Sequence, residues 1–252
     1  LHLSLRRQRQ MCIRDRFGTL IHSLAQASAS GLDDANISTA LEAAWPALGI
    51  DSIWLAEQEK QRAVDAITNY AVWDAKESAT FATAGLEVGV DHIFTVDDLA
   101  DFGITTEDIA SVDATTVPVR VKGRIDRLER TDAGQYVIVD FKTGKTVPSK
   151  KDTQDNAQLA LYQLALSGSD KDTTPVVKAK LVYLRPRSGS LGERDQQALD
   201  ADERKRWRLA LQTAASATSG PTFHACRNDH CTQCVVQESC PLYSHSILAR
   251  KA

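Results

Sequence analysis

Two strand-like segments joined by a short turn constrain the fold of this chain more than any other feature. Residues 117–130 (VPVRVKGRIDRLER) and 135–144 (QYVIVDFKTG) alternate apolar and polar side chains, which is the period of a β-strand. Between them, residues 131–134 (TDAG) favour a turn, and Gly134 can adopt the left-handed conformation that a three-residue hairpin loop requires. We therefore predict an antiparallel hairpin.

The register of this hairpin brings two carboxylates together. A three-residue loop would place Asp126 directly opposite Asp140 on one face. Like charges at such positions destabilise a sheet, and Mg²⁺ typically binds one or two carboxylates, so a divalent cation between them would explain the arrangement. Lys142 would share this face and could orient a water molecule or stabilise charge on phosphorus. The alternative is a solvated surface where Asp126 pairs with Arg124 or Lys142.

The remaining periodicity predicts a mixed α/β fold with helices first. Helices are expected at residues 17–30, 33–48, 52–84, 152–167 and 195–218, and further strands at residues 86–96 and 176–187. The apolar face of the hairpin would carry Val119, Val121, Ile125, Val137, Val139 and Phe141. Core candidates on the third helix are Trp54, Val64, Ile67, Tyr70, Ala71 and Trp73.

Charge is unevenly distributed, although the net charge is only −3. Residues 17–116 hold 3 basic and 17 acidic side chains, whereas residues 117–190 hold 14 basic and 8 acidic ones. The hairpin therefore lies in a positive segment, as expected of a local polyanion-binding surface, unless its lysines are simply solvated. The absence of a long apolar run and of a secretory signal predicts a cytoplasmic protein without a membrane partner.

The first sixteen residues are expected to be non-native. MCIRDR (residues 11–16) is what a common sequencing-library adapter encodes when translated, and the chain starts at a leucine. We therefore expect the natural chain to continue upstream, and we assign no role to Cys12.

Four motifs occur in an order that resembles the RecB-like nucleases of the PD-(D/E)XK superfamily. GTLIH (18–22) resembles the glycine–histidine motif that opens the nuclease domain. It is followed by GRIDRLE (123–129), VDFKTGK (139–145) and QLALYQLAL (158–166). The resemblance covers residues 17–243 and implies a restriction-endonuclease-like core, a mixed central sheet flanked by helices. Its parts would be a helical region at 17–84, a catalytic core at 85–218, a cysteine cluster at 226–241 and a tail at 244–252.

The resemblance also implies a metal site. His22, Asp126 and Asp140 would bind Mg²⁺ or Mn²⁺, together with the main-chain carbonyl of Phe141, and Lys142 would be the catalytic lysine. Without the resemblance, His22 would be interpreted as a core or surface histidine.

Three further residues gain a role from the same resemblance. Gln158 and Tyr162 match the Q-x-x-x-Y motif, and their spacing puts both on one helix face, where they could contact the DNA backbone or support the site. On its own, Tyr162 would be interpreted as half-buried packing. Glu87 occupies a position where relatives often have a glutamate before the first core strand.

The implied reaction is hydrolysis of a DNA phosphodiester, with exonuclease action favoured over endonuclease action. Basic side chains of the positive segment would contact phosphates without reading sequence. These side chains are Arg120, Lys122, Lys145, Lys150, Lys151, Arg185 and Arg187.

The C-terminal region holds a second candidate metal site. Cys231, Cys234 and Cys240 are clustered in a way that favours metal over disulfides in a cytosolic protein. In relatives, this spacing belongs to a [4Fe-4S] cluster whose fourth cysteine lies upstream of the histidine motif. Alternatively, Cys226 with His224 or His230 could complete a zinc site, or the thiols could be purely structural.

The motifs and cysteines together resemble the C-terminal nuclease region of AddB/AdnB-like helicase–nucleases, which act in double-strand break repair and recombination. The chain has no G-x-x-x-x-G-K-[ST] motif, so a helicase motor would lie upstream or on a partner subunit. Two alternatives are a stand-alone iron–sulfur nuclease of CRISPR adaptation and a catalytically inactive DNA-binding scaffold of the same fold. A zinc-ribbon interaction module is a third.

Overall fold

The computed structural model describes residues 2–168, 174–185, 191–219, 225–228, 231–234 and 236–243. The helices are α1 (His2–Ala29), α2 (Asp34–Ala44), α3 (Ile53–Glu77), α4 (Thr106–Ser111), α5 (Lys150–Gln154), α6 (Ala157–Ser167) and α7 (Ala201–Ser219). The strands are β1 (Ala82–Phe94), β2 (Val119–Arg130), β3 (Tyr136–Lys142), β4 (Val176–Tyr183) and β5 (Gly192–Gln197). Short 3₁₀ helices cover Trp45–Leu48, Asp97–Leu99, Cys231–Gln233 and Gln237–Ser239.

The chain divides into two compact units. The first comprises Leu1–Phe94 and Arg120–Trp207, and the second comprises Thr95–Val119 and Arg208–Ala252. Among the described residues, no helix is long and apolar enough to cross a lipid bilayer.

The first unit is built on a mixed five-stranded sheet. The strand order is β1-β2-β3-β4-β5, with β3 parallel to β4 and antiparallel to β2, and β5 antiparallel to β4. Helices flank this sheet, which confirms the predicted α/β fold. Two expectations were wrong in detail: β5 occupies the start of the region predicted as helix 195–218, and the helix predicted at 152–167 is divided into α5 and α6.

The second and third helices each begin directly after a capping side chain. Asp33 caps α2 by accepting a hydrogen bond from the Asn36 amide at 2.8 Å, and the following 3₁₀ turn ends at Gly49 with φ of 64°. Ser52 caps α3 in the same way. The third helix nevertheless ends at Glu77, followed by a turn at residues 78–80, and β1 begins at Ala82.

Only one stripe of α3 faces the core. Its buried residues follow the helical repeat: Ala63, Ala66, Tyr70, Trp73 and Glu77. Trp54 and Val64 lie off this stripe and are 72% and 42% exposed, so their assignment to the core was wrong.

Strand β3 is buried on both faces. Val137, Val139 and Phe141 pack into the cluster formed with α1, α2 and α3, whereas Tyr136 and Ile138 pack with residues of α6. The Phe141 ring makes edge-on contacts with the rings of Tyr70 and Trp73, at centroid distances of 5.3 and 5.1 Å. These contacts fix the end of β3, where Asp140 and Lys142 lie.

The hairpin register is confirmed, but its predicted apolar face is not. β2 pairs with β3 from Arg127 opposite Val139 to Arg130 opposite Tyr136. Residues three apart on a regular strand point to opposite faces of the sheet. Ile125 and Leu128 nevertheless belong to one core cluster. The side-chain alternation therefore breaks between them, and Val121 and Ile125 pack on the face opposite to Val137, Val139 and Phe141.

The second unit contains a small core of its own. Leu99, Ile104 and Ile109 form its apolar cluster, and α4 begins with a capping box at Thr105 and Asp108. The fully buried Arg208 donates hydrogen bonds to the Thr95 carbonyl at 2.9 Å and to Asp98 Oδ1 at 3.1 Å. The cysteines predicted to bind metal lie in this unit.

Candidate active site

Side chains from three elements converge beside the end of β3. His22 comes from α1, Glu87 from β1 and Asp126 from β2, and their ligand atoms all lie within 4.8 Å of one another. His22 Nδ1 is 3.2 Å from Asp126 Oδ1. The other oxygen of Asp126, Oδ2, accepts a hydrogen bond from the Phe141 amide at 2.7 Å. Asp126 is therefore held by the backbone of the neighbouring strand while it faces the histidine.

Asp140, Lys142 and Gln158 form a second, directly bonded group. The Gln158 side chain accepts from Lys142 Nζ at 2.7 Å and donates to Asp140 Oδ1 at 2.7 Å. Lys142 Nζ also lies 2.6 Å from Asp140 Oδ2, without the alignment of a hydrogen bond. This Oδ2 is buried and has no hydrogen-bond partner among the described residues. The Lys142 ammonium is thus the cation nearest to this buried carboxylate oxygen.

The Q-x-x-x-Y pair connects this group to the backbone of β2. Gln158 Nε2 is 3.3 Å from the Tyr162 hydroxyl, which donates to the Arg124 carbonyl at 2.8 Å. The ring lies so close to Gly123 that a Cβ atom there would be 2.8 Å from Tyr162 Cε1. Gly123 therefore has to be a glycine for Tyr162 to reach its hydrogen-bond acceptor.

The electrostatics of the site favour a cation. Burial raises the pKa of Asp140 to about 6, since the charge of Asp126 adds to the effect of burial and the charges of Lys142 and His22 only partly oppose it. Burial by itself lowers the pKa of His22, but the hydrogen bond to Asp126 and the nearby carboxylates more than compensate, so this pKa is raised. The site thus holds a carboxylate whose charged form is disfavoured by burial and by the neighbouring Asp126, so a bound cation would stabilise that charged form.

The donor set fits a hard divalent cation. It offers carboxylate oxygens and one imidazole, which suits Mg²⁺ or Mn²⁺ better than a thiophilic metal. Asp140 lies outside the compact group of His22, Glu87 and Asp126 but close enough for its charge to act on His22. The centroids of the Phe141 and His22 rings are 6.4 Å apart. Metal binding by the main-chain carbonyl of Phe141 stays a prediction.

Glu87 and Arg124 are the parts of this site that local sequence patterns do not reveal. Glu87 has φ of 50° within β1, a rare conformation for a residue other than glycine and one that clusters at functional sites. Arg124 Nη1 lies 3.3 Å from Glu87 Oε2. Both border a cavity of about 340 Å³ that is also lined by His22. Their meeting depends on tertiary structure, and only the resemblance drew attention to Glu87.

The basic residues expected to contact phosphates are not all equally available. Arg120 pairs with Asp91 at 2.7 Å, and Arg185 pairs with Glu59 at 2.9 Å. Arg187 lies outside the described residues. The lysines at positions 122, 145, 150 and 151 are exposed.

The cysteine region consists of short turns. Cys226 and Cys234 are exposed, and Cys231 and Cys240 are partly buried. The Asn228 amide donates to Cys231 Sγ at 3.2 Å. Among the described residues, these sulfur atoms do not form a three-ligand group as compact as the one at His22. His224 and His230 lie outside the described residues.

Comparisons with known proteins identify the family. The sequence model of the PD-(D/E)XK nuclease superfamily matches residues 1–241. No curated protein gives a significant match. Among solved structures, the crystal structure of SSO0001 is similar, with 17% identity, coverage of 90% of this chain and 96% of that chain, and a TM-score of 0.40. Because the family model spans nearly the whole chain, the chain belongs to the PD-(D/E)XK nuclease superfamily.

Proposed function

We propose that this chain is a Mg²⁺- or Mn²⁺-dependent deoxyribonuclease that hydrolyses phosphodiester bonds. The observation that carries the proposal is the contact of Lys142 with both Gln158 and Asp140, beside the group of His22, Glu87 and Asp126. An ordinary surface of ion pairs would not bury a carboxylate as deeply as Asp140, which is 3% exposed.

His22, Asp126 and Asp140 would hold the divalent ion, and Glu87 could add a fourth side chain. When bound, such an ion supplies Lewis acidity, which activates water at neutral pH and stabilises negative charge on phosphate oxygens. Asp126 is oriented for this role, because the Phe141 amide fixes its Oδ2 and leaves Oδ1 directed to His22.

Lys142 would act on the substrate through its ammonium group. Gln158 Oε1 and Asp140 hold this group at the end of β3, where it can donate hydrogen bonds to a phosphate oxygen or to the attacking water. Gln158 positions Lys142 and Asp140 relative to each other, since one amide bonds to both. Positive charge held in a fixed place stabilises the charge that develops in the transition state without further reorganisation.

The wider role follows from the RecB-like motif order. We propose a cytoplasmic exonuclease domain of an AddB/AdnB-like helicase–nuclease that acts in double-strand break repair and recombination. Its helicase motor would lie upstream in the same chain or on a partner subunit. Exposed lysines such as Lys122, Lys150 and Lys151 support contacts with the DNA backbone.

The metal requirement provides the direct test of the nuclease proposal. Purified protein is expected to degrade end-labelled linear DNA with Mg²⁺ or Mn²⁺, to stop in excess chelator, and to leave covalently closed circular DNA uncut. Lys142→Ala should lose cleavage while the protein still unfolds in one cooperative transition, because Lys142 is partly exposed. If the wild type cuts no DNA with either metal, an inactive DNA-binding scaffold becomes the better interpretation.

Tyr162→Phe is expected to lower DNA cleavage about 2- to 10-fold, which corresponds to losing a hydrogen bond worth about 0.5–1.5 kcal/mol. The lost bond is the one from the hydroxyl to the Arg124 carbonyl. Gly123→Ala should lower cleavage at least as much, since its Cβ would displace the ring. Gly89→Ala is the matched control in β1, because no atom lies within 4 Å of its added Cβ. Equal cleavage by Gly123→Ala and Gly89→Ala would contradict this role.

We further propose that Cys231, Cys234 and Cys240 hold a [4Fe-4S] cluster, with a fourth ligand from native sequence upstream or from Cys226. The spacing supports it, and so does the amide hydrogen bond to Cys231 Sγ, since such bonds stabilise thiolate ligands. Protein purified without oxygen is expected to contain iron and to absorb broadly in the visible range, and Cys234→Ser should lose both. Stoichiometric zinc without iron would favour the alternative zinc site.

A further inference from the structure

One exposed arginine borders the cavity that contains His22. This cavity has a volume of about 340 Å³, and Glu87 of β1 and Arg124 of β2 both line it. The side chain of Arg124 is 68% exposed, and its Nη1 donates to Glu87 Oε2 at 3.3 Å. A guanidinium group has five N–H donors, so most of those on Arg124 can bond to a ligand that enters from solvent.

The active site fixes the position from which this side chain starts. The main-chain carbonyl of Arg124 accepts a hydrogen bond from the Tyr162 hydroxyl at 2.8 Å. The Tyr162 hydroxyl lies 3.3 Å from Gln158 Nε2, and the Gln158 side chain bonds to Lys142 and Asp140. The guanidinium group of Arg124 is therefore tethered beside the candidate catalytic residues.

Helix α1 contributes polar side chains to the same cavity. Thr19, Ser23 and Gln26 line it and are exposed. In the described part of the chain, Glu87 is the one carboxylate residue among those that line the cavity. Hydroxyl, amide and guanidinium groups are common donors to the phosphate oxygens of DNA. The cavity therefore suits a phosphate, provided that the charge of Glu87 is compensated.

Glu87 also belongs to the candidate cation site. One of its ligand atoms lies within 4.8 Å of ligand atoms of His22 and Asp126. A divalent cation bound by these side chains would neutralise the Glu87 carboxylate and repel the nearby guanidinium. Because Arg124 is mostly exposed, its ion pair with Glu87 contributes little and separates easily. Arg124 and the cation therefore compete for one carboxylate.

We propose that Arg124 contacts a phosphate of the substrate strand, and that Glu87 holds Arg124 back until a divalent cation binds beside Glu87. Binding of the cation then turns an internal ion pair into a contact with DNA. The inference rests on the proposed nuclease function, because that function brings a DNA strand and a divalent cation to this cavity.

The first test measures DNA binding in chelator. Fluorescence anisotropy follows the binding of a labelled single strand of twelve thymidine nucleotides. Glu87→Gln is expected to bind this strand about 5-fold more tightly than the wild type, because Arg124 is released from its partner. The gain from Glu87→Gln should be much smaller in the Arg124→Gln background. An equal gain in both backgrounds would overturn the proposal, since loss of the Glu87 charge alone would explain it.

The second test measures cation binding without DNA. In calorimetry, Arg124→Gln is expected to bind Mn²⁺ about 5-fold more tightly than the wild type, because the competing guanidinium is absent. Lys122→Gln is the matched control, since it removes the same charge from an exposed residue of β2 that does not line the cavity. Its affinity for Mn²⁺ should stay close to that of the wild type. Equal affinities for Arg124→Gln and the wild type, or no binding of Mn²⁺ by either, would overturn the proposal.

Cleavage of linear DNA is measured separately, so that the two proposals can fail independently. If the wild type cuts DNA but neither binding test gives the expected result, only the role of Arg124 is rejected. If both binding tests give the expected results but the wild type cuts no DNA, the role of Arg124 in DNA binding stands and only the nuclease is rejected.

Discussion

Asp140→Asn is expected to lower DNA cleavage about 10³-fold or more and to leave the protein at least as stable as the wild type. The loss of cleavage follows from removing a proposed ligand of the metal ion, because the ion stabilises the transition state by several kcal/mol. Each 1.36 kcal/mol of lost stabilisation lowers the rate about tenfold. The retained stability follows from burial: the side chain is only 3% exposed, and the amide has nearly the same shape.

The pH dependence of stability distinguishes this explanation from simple misfolding. The pKa of Asp140 is about 6 in the folded protein and 3.8 without burial, so the folded state binds the proton more tightly. The contribution of Asp140 to the free energy of unfolding should therefore fall as pH rises from about 4 to about 6. Asp140→Asn should not show this fall. Melting temperatures at pH 4.5 and 7.5 in chelator measure the difference, and Asp132→Asn in the exposed hairpin turn is the control. Cleavage within tenfold of the wild type would reject the proposed role.

Arg127→Leu is expected to lower the free energy of unfolding by about 3–5 kcal/mol, the usual cost of removing one partner from a buried ion pair. Arg127 is 1% exposed, its guanidinium carbon lies 5.1 Å from the centroid of the Trp73 ring, and it bonds to Asp74. Its Nε is 3.0 Å from Glu129 Oε1, close although not aligned as a hydrogen bond. Without the arginine, a fully buried carboxylate would lose its nearest cation.

The same variant should be more destabilised at high pH. Burial raises the pKa of Glu129 to about 7, against the opposing charge of Arg127, so the folded state binds this proton more tightly than the unfolded state, whose glutamate titrates near 4.5. The contribution of Glu129 to the free energy of unfolding therefore falls between about pH 4.5 and 7. Without Arg127, this contribution continues to fall at higher pH. Denaturant unfolding at pH 6 and 8 measures this.

Two controls make the result specific to burial. Arg120→Leu removes the same side chain from an ion pair on the same strand, but Arg120 and Asp91 are largely exposed, so little change in the free energy of unfolding is expected. The double variant Arg127→Leu/Glu129→Leu should recover most of the loss, because the fully buried carboxylate is removed together with its cation and the remaining partner, Asp74, is partly exposed. Equal losses for Arg120→Leu and Arg127→Leu would contradict the explanation.

The sequence predicted the fold best where the pattern was local. The hairpin register follows from a turn and two alternating segments, and the starts of α2 and α3 lie within two residues of the predicted bounds. Strand β5 has no apolar alternation to reveal it, since it is formed by pairing with β4. Trp54 was misassigned because hydrophobicity alone does not say which stripe of a long helix faces the core.

The candidate site was predictable in part for the same reason. The proximity of Asp126 and Asp140 follows from the hairpin register. The break in the side-chain alternation of β2 beside Asp126 could not be predicted from that register. The approach of His22 and Glu87 depends on packing between segments far apart in sequence, which no local pattern encodes. Glu87 has, in addition, a left-handed backbone that its residue type disfavours.

The hydrogen bond from the Phe141 amide to Asp126 couples catalysis to the integrity of the sheet. A descendant of this chain that lost nuclease activity could replace Lys142 together with its partner Asp140, since Lys142 itself reaches solvent. It could not replace Asp126 by an apolar residue without leaving a main-chain donor unsatisfied beside a packed aromatic cluster. Inactive descendants should thus keep aspartate or asparagine at position 126 long after Lys142 has been replaced. The different retention of these two residues would show the order in which parts of the site were lost.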